Sequence, residues 1–230
     1  MKKVIITQSN YIPWKGYFDA INMVDEFIIY DDMQFTRRDW RNRNKIKTKD
    51  GLQWLTIPVE VKGKYFQKIN ETKISDSDWA QHHWKTIQYN YHKTPFFDLY
   101  KGLFESIYVN SDEKYLSLIN YEFIKLICSI LGIKTLIGFS SDFELVDGKT
   151  ERLVDLCKKL GATDYFSGPA AKAYMDESLF EKESIKVHYF DYSGYPEYKQ
   201  QFGTFAHDVS IIDLLFNEGE GSKKFMKSFI

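Results

Sequence analysis

The chain has 230 residues, enough for one large domain with its own core, and its 31 basic and 32 acidic side chains leave a formal net charge of -1. That balance excludes a global field that would gather nucleic acid or an anionic membrane, so any charged function has to be local. The 2 cysteines, without CxxC spacing, make neither a disulfide framework nor a metal site and read as reduced core thiols.

In chain order, Val4-Ile5-Ile6-Thr7 reads as a short strand, and Trp14, Tyr17, Phe18, Ile21 and Met23 recur at helical spacing. Phe27-Ile28-Ile29-Tyr30 then reads as a second strand, completing a βαβ unit that ends at Asp31-Asp32. Residues 35–49 are polar and basic and read as a loop, and Trp54 to Val59 reads as a strand. Ser75 or Asp76 suits the cap of a helix through Trp79, Trp84, Ile87 and Tyr91. Two more helices follow, over 95–108 and 112–131. They make a helical insertion at about 75–131 within a single α/β domain of residues 1–230.

From Lys134 the alternation resumes. Strands are expected at 135–138, 164–166 and 187–190, with helices at 150–160 and 169–180 between them and a last helix at 208–216 that stops at Gly219. This pattern predicts an α/β fold with a mostly parallel sheet covered by helices on both faces. Ligands bind such sheets beyond the carboxyl ends of the strands, which gives weight to the loops at 8–16, 31–47, 138–150 and 167–172. The amino terminus enters a strand and lacks a signal-peptide h-region, and no stretch reaches membrane-spanning length. A cytoplasmic location without membrane insertion is expected.

In the first loop, Gln8, Tyr11, Trp14, Gly16 and Tyr17 are candidate binding residues: Pro13 suits a helix entry, Gly16 permits close approach, and amides at a helix start favour an anion. Neither GxGxxG nor GxxxxGK[ST] occurs there, and a tight turn with Trp14 and Tyr17 packed below the sheet is equally compatible. In the second loop, six cationic side chains stand among amides and aromatics. Gln34, Arg38, Asn42, Arg43 and Lys45 are its candidates, because arginine forks clamp phosphate and amides read sugar hydroxyls. The alternative is a solvated basic hairpin. In the fourth loop, Ser167, Gly168 and Pro169 place small residues and bare amides at a strand-to-helix junction, a feature that helix initiation alone also explains. Asp31, His83 and His207 are the candidate acid–base groups. His82 and His83, being adjacent on a helix, face different ways and form no metal pair, so no metal is expected. No nucleophile elbow accompanies His207, and the phenol-rich turn 192–198 reads as a packed loop or cleft rim.

Taken together, Gln8 to Phe18, Gln34 to Lys47, Trp54 to Val59, Gly168 to Tyr174 and Gly194 to Leu215, with Phe205-Ala206-His207 and Ser210 to Phe216, resemble the WbqC-like protein family along nearly the whole chain. Members are known chiefly from gene clusters for O-antigen and other surface polysaccharides. More distantly, Asn10 to Tyr17 resembles the HxGH turn of nucleotidylyl transferases and adenylate-forming ligases, with Trp14 and Tyr17 where those enzymes carry histidines. The resemblance implies a place in surface-polysaccharide synthesis, and with the basic loop, which suits a diphosphate, the leading expectation is an enzyme that forms an amide between a nucleotide-linked amino sugar and an acyl or aminoacyl donor, with ATP or acyl-CoA as candidate donors. Two other readings stay open: an adenylate-forming ligase or nucleotidylyl transferase, and a non-catalytic binding or scaffold protein. No nucleic-acid partner is expected, and a homodimer is left open.

Overall fold

The computed structural model describes residues 1–229. Five parallel strands form the central sheet: β1 (Lys3–Thr7), β2 (Glu26–Ile29), β5 (Leu136–Phe139), β6 (Asp164–Ser167) and β7 (Lys186–Tyr189), in the order β5-β2-β1-β6-β7. The apolar runs of β1 and β2 have the composition of strands buried on both faces, whereas the edge strands β5 and β7 are only partly covered. Successive residues alternate sides, so Val4, Ile6 and Ile28 join one buried cluster while Ile5, Phe27 and Ile29 join the other.

On the first side pack α5 (Thr150–Lys159) and α6 (Glu177–Lys182), through Val154, Cys157 and Phe180. On the other side lies α1 (Lys15–Asn22), with Phe18 and Ile21 inward. The same cluster continues through α2 (Trp79–Tyr91), α3 (Phe97–Asn110), α4 (Leu116–Leu131) and α7 (Ile211–Glu218). Helices on both faces of a parallel sheet make this an α/β fold. Cys128 and Cys157 are buried free thiols, and burial pushes each up to about 12, leaving them unreactive packing groups. Among the described residues no helix is long and apolar enough to cross a membrane.

Three local expectations change. The segment expected as a basic loop contains β3 (Arg43–Thr48), paired antiparallel with β4 (Gly51–Thr56) in a separate hairpin. Its inward positions include Asn44, Ile46 and Thr48, so the period-2 pattern is present but carried by polar residues that a hydropathy reading passes over. The helix expected at 169–180 is instead a 3-10 turn, Pro169–Ala173, followed by α6. Asp176 restarts the helix by accepting from the Ser178 amide at 3.1 Å. The last helix begins at Ile211 under a Ser210 cap, three residues later than Asp208.

The sheet order contains one reversal. From β1 the chain moves to β2 and β5 on one side, then returns to β6 and β7 on the other. The point where the order reverses lies between β1 and β6, where the two connections leave in opposite directions and open a crevice beyond the strand ends.

Candidate functional site

A cleft of about 650 Å³ opens at that reversal point. Thr7 and Gln8 line it from the end of β1, Tyr30 and Met33 from beyond β2, and Ser167, Gly168 and Ala171 from beyond β6. The first turn of α5 completes the wall with Lys149, Arg152 and Leu153. Gly148 ahead of that helix has φ 98°, a conformation that glycine takes at little cost. Gly148-Lys149-Thr150 is a Gly-Lys-Thr at a helix start, yet Phe143 occupies the position of the first glycine in a P-loop. The Arg152 Nε donates to the Val146 carbonyl at 2.7 Å, which fixes the guanidinium at the cleft. The Tyr30 phenol stands against it, and burial raises that phenol while the arginine opposes the shift. The cleft therefore combines two cations, phenols and a helix start, a combination that suits an anion carrying a ring.

Beside it, the turn Gln8–Trp14 carries strain. Ile12 sits at φ 36°, a region β-branched residues avoid at a cost of about 1–3 kcal/mol. The Asn44 side chain braces it by donating to the carbonyls of Tyr11 at 3.0 Å and Ile12 at 2.9 Å. Past this turn lies a smaller pocket of about 230 Å³ between Trp14 and Trp40, with Asn10, Asn44, His207 and Asp208 in its wall. Gln8 lines the cleft and Asn10 lines this pocket, so the two walls are two residues, at most about 7 Å of chain, apart. His207 and Asp208 arrive on a long segment without helix or strand, residues 190–210. Lys15 helps to hold that segment. Its ammonium donates to the Pro196 carbonyl at 2.8 Å and lies 5.2 Å from the Tyr195 ring centre, and burial lowers it to about 8.

A third pocket, about 220 Å³, lies beside β3 and is walled by Arg37, Arg38, Asn42 and Arg43 over Phe35, Ile57 and Val59. The Arg43 guanidinium lies 4.1 Å from the Trp54 ring centre. Lys45, expected to share this ligand, instead pairs with Asp208 and lies against Trp54. Gln34 donates to the Tyr65 carbonyl at 2.8 Å and lines none of the three pockets. The expected loops thus feed three separate pockets: Gln8, Ser167 and Gly168 meet in the cleft, Trp14 and His207 in the second, Arg38, Asn42 and Arg43 in the third. Pro169 is exposed and starts the 3-10 turn behind Gly168.

Several candidates are interior. Asp31, 2% exposed, accepts from the Ser9 amide at 2.8 Å, from Ser9 Oγ at 2.6 Å and from Ser117 Oγ. Burial raises this carboxyl, and those hydrogen bonds oppose the rise. Asn120 joins Ser9 to the Arg41 carbonyl, and Arg41 reaches Asn10, so the network supports the strained turn from below. Tyr11 is fully buried; its hydroxyl meets His83 Nδ1 at 2.8 Å and the Tyr108 hydroxyl at 2.6 Å. His83 is buried with it, and desolvation lowers the imidazole to about 4. Tyr17 is buried and donates to the Gln8 carbonyl at 3.0 Å. A Cβ at Gly16 would fall inside the Trp14 indole. The glycine is required by Trp14, which covers the face where a ligand would approach.

Sequence reasoning singled out the loop containing Lys149 but named neither Lys149 nor Arg152. The available signal was a Gly-Lys-Thr directly before an amphipathic helix. Ser117 and Asn120 lie on α4 among apolar neighbours, and only the fold brings them to Asp31.

A sequence model of the WbqC-like protein family matches residues 8–225. The chain is also 54% identical over 227 residues to a Mycobacterium tuberculosis protein named uncharacterized protein Rv1507c, which covers 99% of this chain and 98% of that protein. No solved structure matches the chain. Because the family match takes in the strained turn, the basic hairpin and every pocket wall from Gln8 onward, the chain belongs to the WbqC-like protein family.

Proposed function

We propose that the chain is a cytoplasmic enzyme of surface-polysaccharide synthesis that binds a nucleotide-linked amino sugar and acylates its amine. The observation that carries this reading is the reversal-point cleft, where Lys149, Arg152 and the amides near Gly168 suit the diphosphate. The sugar would cross the Gln8–Asn10 turn into the two-tryptophan pocket, since tryptophan faces pack on pyranose rings and Asn10 and Asp208 offer polar partners to hydroxyls.

In the reaction the amine nitrogen attacks the carbonyl carbon of an activated acyl donor, a thioester or an acyl-adenylate. The C–N bond forms, the bond to the donor breaks and the donor leaves with its electron pair. The amine proton goes to a base. His207, exposed beside Asp208 in the pocket wall, is the group assigned to this step. Asp31 and His83 are assigned the supporting role that their burial and saturated hydrogen bonds suit. The Trp14 ring over Gly16 weighs against ATP phosphates at that glycine.

The test is a mass-spectrometric assay of a nucleoside-diphosphate amino sugar with acyl-CoA, or with a carboxylic acid and ATP. The expected result is one acyl addition to the sugar amine, with His207→Ala slower by about 10²–10⁴-fold and substrate binding retained. Binding without product in any donor mixture would favour a non-catalytic role in polysaccharide assembly, a reading supported by the absence of His, Asp and Glu from the described walls of the cleft.

A further inference from the structure

Residues 61–68 form a loop beside the basic hairpin, and it holds out Tyr65, 77% exposed, next to Phe66, 82% exposed. Large apolar side chains exposed singly are ordinary. These two are adjacent, and their rings pack edge to face with centres 4.9 Å apart, so they make one apolar knob. The loop beneath them is braced. Gly63 turns the chain at φ 75°, and the Lys64 amide donates to the Val61 carbonyl at 3.2 Å. The Gln34 side chain donates to the Tyr65 carbonyl at 2.8 Å, and the Phe35 amide donates to the Gln67 carbonyl at 2.9 Å. These contacts leave both rings unused, and neither ring lines the cleft or the two smaller pockets described above.

Cations surround the knob. Residues 34–38 and 61–68, which those hydrogen bonds join, contain Arg37, Arg38, Lys62, Lys64 and Lys68 and no acid. All five are exposed. Lys64 pairs with Glu60, and Lys68 lies 3.7 Å from Asp32. Arg37, Arg38 and Lys62 have no carboxylate partner among the described residues. An apolar knob amid unpaired cations matches the headgroup boundary of an anionic bilayer, where aromatic rings rest at the apolar edge and phosphates meet the charges. A nucleic acid would stack its bases on open ring faces, and the edge-to-face pair covers one of these. A protein partner would need a pocket shaped to the knob, and a bilayer needs none.

We propose that the 61–68 loop docks the protein on an anionic membrane surface, with Tyr65 and Phe66 at the acyl boundary and Arg37, Arg38 and Lys62 on lipid phosphates. The chain then lies on the membrane and does not span it. Met33 lines the reversal-point cleft, and its carbonyl accepts from the Ile69 amide, directly after the loop, at 2.9 Å. Docking therefore holds that cleft close to the lipid surface. The inference is independent of the acyl-transfer reading, because vesicle binding requires neither sugar nor donor.

The test is flotation of the full chain with vesicles of phosphatidylcholine alone and of phosphatidylcholine mixed with phosphatidylglycerol. The variants are Tyr65→Ser combined with Phe66→Ser, Lys62→Glu, Arg37→Glu, and Lys182→Glu, which makes the same charge change on α6. Every substituted side chain is exposed, so each variant is expected to keep the wild-type melting temperature. The wild-type chain is expected to float with the phosphatidylglycerol vesicles only. Its affinity should fall at least about tenfold with the double ring change, and about twentyfold with Lys62→Glu or Arg37→Glu, two charge steps of about fivefold each. Lys182→Glu should change nothing, and binding should be largely lost at about 1 M salt, where the Debye length is about 3 Å. No vesicle binding by the wild-type chain, equal losses in Lys182→Glu and Lys62→Glu, or binding indifferent to the ring change would overturn the inference. So would a single-stranded oligonucleotide bound in place of vesicles and released by the same substitutions.

Discussion

Replacing Asp213 with alanine is expected to lower the unfolding free energy by about 3–5 kcal/mol, since each buried donor left without its acceptor costs about 1–3 kcal/mol and these costs add incompletely. Asp213 is fully buried on α7 and accepts from Tyr91 OH at 2.9 Å, Tyr198 OH at 2.7 Å and Gln200 Nε2 at 2.9 Å. Gln200 in turn accepts from the Lys47 ammonium at 2.6 Å, so the carboxylate ties helix α2, hairpin strand β3 and the 190–210 segment to α7. Asp213→Ala strands three donors at once, whereas Asp213→Asn keeps an acceptor oxygen and should lose less. Urea unfolding followed by fluorescence measures both, and a midpoint unchanged in the alanine variant would show that the network is relaxed by water at little cost. The pH dependence has a defined sign. Burial raises the Asp213 and Asp31 carboxyls, so the folded state holds their protons more tightly than the unfolded chain does. Their contribution to stability therefore falls as pH rises from the ordinary carboxylate value through the raised one.

His83 acts in the opposite direction. Its imidazole is lowered from 6.5 to about 4, first by desolvation and then by the neighbouring His82, while a backbone hydrogen bond with Thr56 opposes the shift. Between those two values the unfolded chain binds a proton that the folded chain does not, so stability falls on acidification from pH 6.5 to 4. A shift of that size is worth about 3 kcal/mol, at 1.36 kcal/mol per pH unit. Nδ1 accepts from the Tyr11 hydroxyl when Nε2 carries the proton, and protonation makes Nδ1 a donor, so that hydroxyl must turn to accept from it and donate to Tyr108 instead. His83→Asn lacks this titration. The wild-type minus variant difference in unfolding free energy is expected to shrink by about 3 kcal/mol between pH 6.5 and 4. A constant difference across that window would mean that the imidazole is solvated in the folded protein.

The strands β1 and β2 were legible because they are buried and carry apolar runs, and the outer strands because short β-branched and aromatic stretches alternate with helical spacing. The β3 strand was hidden because its inward side chains include Asn44 and Thr48, chosen for hydrogen bonding: Asn44 spends its amide on the strained Ile12 turn. The α6 boundary was missed because the Asp176 cap lies inside a run that reads as one helix. At the site, sequence spacing identified the loops but not their grouping, which depends on the sheet reversing between β1 and β6. Arg38, Arg43 and Lys45 look equivalent in a basic run. Arg43 and Lys45, two residues apart on β3, share the face that carries Trp54, and what separates them is the partner each meets, the Arg38 carbonyl for Arg43 and Asp208 for Lys45. Tyr11 and His83 have the residue types of a catalytic pair, and only burial distinguishes a core hydrogen bond from a cleft one.

The central claim is that the reversal-point cleft binds a nucleotide-linked sugar through Arg152. Calorimetric titration of a nucleoside-diphosphate amino sugar into the wild-type chain, Arg152→Ala and Arg37→Ala tests it most directly. The account predicts saturable binding that weakens at least about tenfold in Arg152→Ala and is unchanged in Arg37→Ala. Equal affinity in wild type and Arg152→Ala, or no binding by the wild-type chain, would contradict it.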